Sequence, residues 1–188
     1  MRGARDGDAM SERIEVDSYL SGPEEMRRRE LVWGVVREPP APRYGHQSVV
    51  TRTTVILDRH VRQHQLGVVC VSPMDVVLDE KNALIVQPDV LFVSNERAGI
   101  VREQIWGAPD LVVEVASPGT ELYDRTTKIE WYRTYGIREC WLIDPHEAVV
   151  TVVNLGASRE ASRSFSGDNP VGSDVLPAFN APAREFFE

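Results

Sequence analysis

Two acidic residues and one lysine stand where the surrounding apolar pattern does not want charge. Glu114 interrupts the run Leu111, Val112, Val113, Val115, Ala116, which has the composition of a strand buried on both faces. A carboxylate there is costly unless it is paired or holds a metal. Asp89 follows Pro88 at the start of an earlier apolar run, whereas Glu114 lies toward the end of its own. If these runs pair antiparallel, the start of one lies beside the end of the other, and both carboxylates meet at one sheet edge. Paired carboxylates bind Mg²⁺ through hard oxygens and leave positions for water and phosphate. Lys128 belongs to a helical pattern that begins at the same edge. From there its amine can stabilise a developing phosphorane charge or orient the attacking water.

Other chemistry-bearing residues read more plainly. Asp110 shares a face with Glu114, but four strand residues separate them by roughly 13 Å, too far for one metal. It reads as an acid that bonds a loop at the start of the strand, or as a peripheral site member. Glu114 has a competing structural reading as the partner of Arg125 or Lys128. Asp124 and Lys128 have the spacing of an ordinary helix pair, and Thr120 or Asp124 suits a helix cap. His60 and His64 imitate half a zinc site but lack the intervening Glu and a third ligand. Trp131, Tyr132 and Tyr135 are spaced to pack a helix's inner face. Arg43, Arg52, Arg59, Arg62, Arg125 and Arg133 form either a basic rim or a set of solvated side chains.

The elements that must hold these residues follow from periodicity. RELVWGVVRE predicts two short strands turned near Gly34, followed by a PPAPR linker. Tyr44 to Leu66 predicts a helix buried along Val50, Thr54, Leu57 and Val61, with Gly67 ending it. VVCVSPMDVVL and ALIVQPDVLFVS predict one hairpin about the turn at residues 79–82. Ser94 to Gly107 reads as a polar connection. The strand around Glu114, a helix ending at Tyr135 and Gly136, and the strand ECWLID imply a parallel pair with a right-handed crossover. AVVTVVNL adds a strand, and the rest reads as a polar turn and an irregular tail through Leu176, Phe179 and Phe187. The order predicts an α/β (α+β) chain, a mixed β-sheet flanked by helices.

The 188 residues make one domain, 23–188, behind a loose leader at 1–22 with a short helix around Arg13 to Leu20. A hydrophobic content of 42% with four tryptophans supplies a real core. No apolar run approaches the ~20 residues of a membrane span, and no signal-peptide core is evident, so a cytoplasmic protein is expected. Cys70 and Cys140, in strand-like runs, read as buried free thiols. A net charge of -8 argues against general nucleic-acid binding, yet it leaves room for an enzyme whose acids a divalent cation neutralises.

The order PDV at Pro88 to Val90, PDLVVEVAS at Pro109 to Ser117, then Asp124, Lys128, Tyr132 and CWLIDP resembles the Uma-two (Uma2) family of restriction-type endonucleases. That family lies within the PD-(D/E)XK nuclease superfamily. The likeness spans about Arg29 to Phe179 and includes the helix start Gly45-His46-Gln47. It implies a restriction-endonuclease-like fold and a Mg²⁺-dependent phosphodiesterase, with Mn²⁺ able to substitute. Asp89 and Glu114 would be the metal ligands and catalytic acids. Ala116 stands where the superfamily lysine would be, and the resemblance assigns that role to Lys128 on the following helix. It also brings His46 and Gln47 to the cleft border as peripheral residues. DNA is the implied substrate, and a homodimer the expected way to cut both strands. The rival reading is a non-catalytic module of the same fold acting in binding or assembly.

Overall fold

The computed structural model describes residues 13–23, 27–117, 123–156 and 161–188. The chain enters through α1 (Val16–Leu20), whose Val16 is buried against Leu31, Val77 and Ile85. The Tyr19 hydroxyl donates to the Arg29 carbonyl at 3.0 Å. The expected leader therefore docks from Val16 onward, since one valine and one tyrosine find a sheet to cover. Strands β1 (Glu30–Val32) and β2 (Val35–Arg37) turn through Trp33 and Gly34, at φ 53° and 80°.

Helix α2 (Tyr44–Gln63) buries Val49, Val50, Thr53, Ile56, Leu57 and Val61. The buried line runs through Thr53, with Thr54 half-exposed, because the stripe is wider than one residue per turn. The helix ends before the expected Leu66. Gln65 takes the left-handed conformation at φ 55°, and Gly67 instead opens the next strand. A Cβ on Gly67 would lie 2.0 Å from the Val93 carbonyl oxygen, so only glycine admits that approach.

Two prolines redirect the chain. β3 (Gly67–Val71) and β4 (Val76–Asp79) flank Pro73, and β5 (Leu84–Val86) and β6 (Val90–Ser94) flank Pro88. Proline cannot donate to a ladder, so each apolar run breaks and crosses to a different sheet. The single expected hairpin is thus two pairings: β4 with β5 about the 79–82 turn, and β3 with β6. The expected polar connection after Ser94 carries a 3₁₀ turn at Asn95–Ile100 and β7 (Ile105–Trp106), which runs parallel to β4. Then follow β8 (Leu111–Val115), α3 (Tyr123–Tyr135), β9 (Glu139–Asp144), β10 (Val149–Asn154) and β11 (Ala161–Ser166). β11 falls in the stretch expected to be turn and tail.

The described residues form two mixed sheets, one ordered β2-β1-β5-β4-β7 and the other β11-β10-β9-β8-β6-β3. β6 and β8 pair antiparallel through Val90↔Val113, and β8 and β9 pair parallel through Glu114↔Leu142. Helix α2 and the C-terminal residues Leu176, Phe179 and Phe186 cover one face of the second sheet around Trp141. Its other face meets the first sheet and α3 through Leu91, Val112, Tyr132 and Cys140. Among the described residues no helix is long and apolar enough to cross a membrane.

Candidate active site

A cavity of about 650 Å³ opens at the edge where β6 begins and β8 ends, walled by residues 39–42 and the first turn of α2. The antiparallel register brings Asp89 beside Glu114. The Asp89 backbone N–H donates to the Val113 carbonyl at 3.0 Å. In return, Asp89 Oδ2 accepts the Val115 backbone N–H at 2.7 Å. Helix α3, entering from the same edge, carries Lys128 and Tyr132 one turn apart. Lys128 Nζ donates to Glu114 Oε1 at 3.2 Å and to Glu30 Oε1 at 2.8 Å. The Tyr132 hydroxyl, fully buried, donates to the same Glu114 oxygen. The ring of Tyr132 packs as its spacing predicted, and its hydroxyl serves the acid as well.

Arg28 and Glu30 complete the cluster, and sequence reading missed both. They sit 61 and 59 positions before Asp89 in a run of like polar residues, so no local signal set them apart. Arg28 Nη1 donates to Asp89 Oδ1 at 2.9 Å, and Nη2 donates to Glu114 Oε2 at 3.3 Å. Among the described residues the buried Arg28 Nε has no partner. Glu30 Oε1 also accepts the Gln87 backbone N–H at 3.0 Å, and Gln87 Oε1 accepts the Arg29 N–H at 3.0 Å. These bonds fix β1 to the segment that delivers Asp89.

His46, buried on the first turn of α2, directs Nε2 toward Asp89 Oδ2 at 3.4 Å, and its Nδ1 lacks a partner among the described residues. Gln47 is exposed and lines the cavity. Asp110 stands at the opposite end of β8. It accepts the Ser94 N–H at 2.8 Å and an Arg138 Nη1 N–H at 3.2 Å, and so ties loops there. Of the arginines weighed as a rim, Arg43 lines the cavity, while Arg59 pairs with Glu185 and Arg62 with Asp58. Thr120 and the side chains of Asp124 and Arg125 lie outside the described residues. His60 bonds the Pro177 carbonyl and stacks near His64 and Phe179.

Burial opposes the charged forms of Asp89, Glu30, Lys128 and Arg28, and their neighbours reverse it. Burial alone would raise the Asp89 pKa, but His46, Arg28 and the Val115 N–H hold it below the ordinary carboxylate value. Glu30 is likewise held low, by Lys128 and then Arg28, against its burial. Burial would lower the Lys128 pKa, yet Glu114 and Glu30 raise it above the ordinary lysine value. Arg28 is raised too, by Glu114 first and then Asp89. Tyr132 is pushed well up by burial and by Glu114 and Glu30. The neighbours therefore favour the ionised carboxylates of Asp89 and Glu30, the protonated amine of Lys128 and guanidinium of Arg28, and the neutral phenol of Tyr132.

Among the described residues no group of three or more His, Cys, Asp or Glu side chains is arranged to hold a metal ion. What converges is a pair of carboxylates on one positive group, the Arg28 guanidinium. That guanidinium marks a point to which Asp89 and Glu114 both present an oxygen. Hard anionic oxygens of this kind fit Mg²⁺ or Mn²⁺, which take a few protein carboxylates and fill the remaining positions with water and phosphate.

Comparisons agree with this architecture. A crystal structure reported as "a putative nuclease belonging to DUF820 from Anabaena variabilis ATCC 29413" superposes with a TM-score of 0.76 at 19% identity, covering 93% of this chain and 97% of that one. No curated protein sequence matches the chain. The family model Uma2, described as "Putative restriction endonuclease", matches residues 16–184, nearly the whole length. The chain belongs to the Uma2 family.

Proposed function

We propose that the chain is a Mg²⁺-dependent endonuclease hydrolysing DNA phosphodiester bonds, with Mn²⁺ able to substitute. One observation carries the reading: Asp89 and Glu114 share a single cationic group inside a cavity, with the Lys128 amine 3.2 Å from Glu114. Membership of a nuclease family supports the reaction class. When bound, the divalent ion supplies Lewis-acid polarisation of the phosphate and a more acidic water.

The chain's own residues do the rest. Asp89 and Glu114 are the ligands. Asp89 is oriented by the Val115 N–H and His46, and Glu114 by the Tyr132 hydroxyl. Lys128 is protonated, so it serves as a charge-stabilising donor toward the developing phosphorane rather than as a base. Glu30 aims the amine through its 2.8 Å bond. Cutting both strands of a duplex calls for two such sites, so the working unit in this reading is a homodimer. Cys70 and Cys140, which form no disulfide with each other, suit a reducing, cytoplasmic setting.

The rival, a non-catalytic module, draws on the same cluster, since Arg28 already bridges both acids as an ion-pair network. The variant Glu114→Ala separates the two readings. Mg²⁺-dependent nicking of supercoiled DNA by wild type that the variant loses supports hydrolysis at this site. Undiminished nicking by the variant rejects the assignment of Glu114, and no nicking by wild type favours the rival.

A further inference from the structure

Resting on that reading of Asp89 and Glu114, we propose that Arg28 is an exchangeable counter-ion: it competes with the divalent cation for these carboxylates and, once displaced, binds the substrate phosphate in the same cavity. The guanidinium donates to Asp89 Oδ1 at 2.9 Å and to Glu114 Oε2 at 3.3 Å, the oxygens that two acids sharing one ion would present. Guanidinium and metal cannot both occupy that point. The present pose also leaves Arg28 Nε buried without an acceptor among the described residues. A phosphate offers acceptors for the whole fork of guanidinium donors.

Charge balance points the same way. Leaving His46 out of the count, the formal charges of Glu30, Asp89 and Glu114 exceed those of Arg28 and Lys128 by one negative charge. A divalent ion converts this to one net positive charge, which a single phosphodiester neutralises. That balance requires Arg28 to stay in the cavity after the metal enters. Its backbone allows this, for Arg28 precedes β1 outside any ladder while the next residue is anchored to Gln87. The side chain can turn without breaking a strand.

The test is a calorimetric Mn²⁺ titration of the full chain without nucleic acid, comparing wild type with Arg28→Met. Removing the competitor should tighten Mn²⁺ binding by about tenfold. Equal or weaker binding by a folded variant overturns the proposal while leaving the metal site standing. Mn²⁺ binding by neither protein overturns the metal reading and this proposal with it. Because Arg28→Met strands two carboxylates, wild type is also followed by ¹⁵N NMR of the Arg28 guanidinium. Saturating Mg²⁺ should shift those resonances and free their rotation, and unmoved signals contradict exchange. With Ca²⁺ in place of Mg²⁺, Arg28→Met should weaken binding of a short DNA duplex by about tenfold, and leave it unchanged without metal. Equal DNA affinity of the two proteins in Ca²⁺ overturns the phosphate half.

Discussion

Asp89 Oδ2 accepts the Val115 backbone N–H at 2.7 Å, so the acid of one strand clamps the backbone of the next, one residue beyond Glu114. The Asp89 carboxylate is thereby tied to the β8 backbone beside Glu114. Asp89→Ala removes this acceptor and leaves Arg28 underpaired, and should cost about 3–5 kcal/mol in urea denaturation. Asp89→Asn keeps an oxygen for Val115 and should cost clearly less. Both should lose Mg²⁺-dependent nicking. Equal destabilisation by the two variants would show that the clamp contributes nothing.

Lys128 has two acidic neighbours and one proposed task. Lys128→Met should lower nicking by at least about 100-fold. It should not weaken Mn²⁺ binding, since a positive charge beside the ligands has gone. Measuring both on the same preparation decides the matter. A variant that loses Mn²⁺ affinity in proportion to its activity would make the amine a scaffold for Glu114 and nothing more.

The convergence of Asp89, Glu114 and Lys128 was legible because it follows from strand direction. An acid at the start of one strand and an acid at the end of its antiparallel neighbour share an edge, and the crossover helix begins there. Arg28 and Glu30 were not legible, because only closure of the first sheet through β1 and β5, with Gln87 as the tie, carries them to that edge. The topology around Pro73 and Pro88 was half legible. The two apolar runs and the turn between them were visible, but each run was read straight through its proline, and apolar composition does not say which of two sheets each half joins. β11 escaped because Ala161–Ser166 is mostly exposed and has no apolar alternation; its pairing with β10 makes it a strand. The site's ion pairs depend on partners from distant segments, which no local pattern could supply.

Tyr132→Phe isolates the hydroxyl that orients Glu114, since the ring's buried packing survives. One hydrogen bond to a charged acceptor is lost, at about 1.5–3 kcal/mol. Nicking should fall further than stability accounts for, because Glu114 then turns more freely about Lys128. Activity unchanged under full folding would remove Tyr132 from the positioning set.

Tyr135 closes α3 onto the first sheet by donating to Asp79 Oδ2 at 2.7 Å. Its phenol is pushed up to about 12 by partial burial and then by the Asp79 bond and charge. Asp79 is held below the ordinary carboxylate value by its Asn82 bond first and Tyr135 second. The fold thus favours neutral phenol and ionised acid. The phenol's contribution is complete below the ordinary tyrosine pKa of about 10 and is lost as pH climbs from there through about 12. The acid's contribution holds above the ordinary aspartate value and fades as pH falls below it. Tyr135→Phe should cost about 1 kcal/mol at neutral pH and flatten the alkaline limb of the stability curve. Parallel curves for wild type and variant between those two tyrosine values would contradict this linkage.

The most direct test of the account is anomalous diffraction from crystals of the wild-type chain soaked in Mn²⁺. One peak is expected between Asp89 and Glu114, within roughly 2.3 Å of an oxygen from each, with the Lys128 amine still facing the cavity. A fully occupied peak elsewhere, or none at saturating Mn²⁺ with both carboxylates still joined by Arg28, would contradict it.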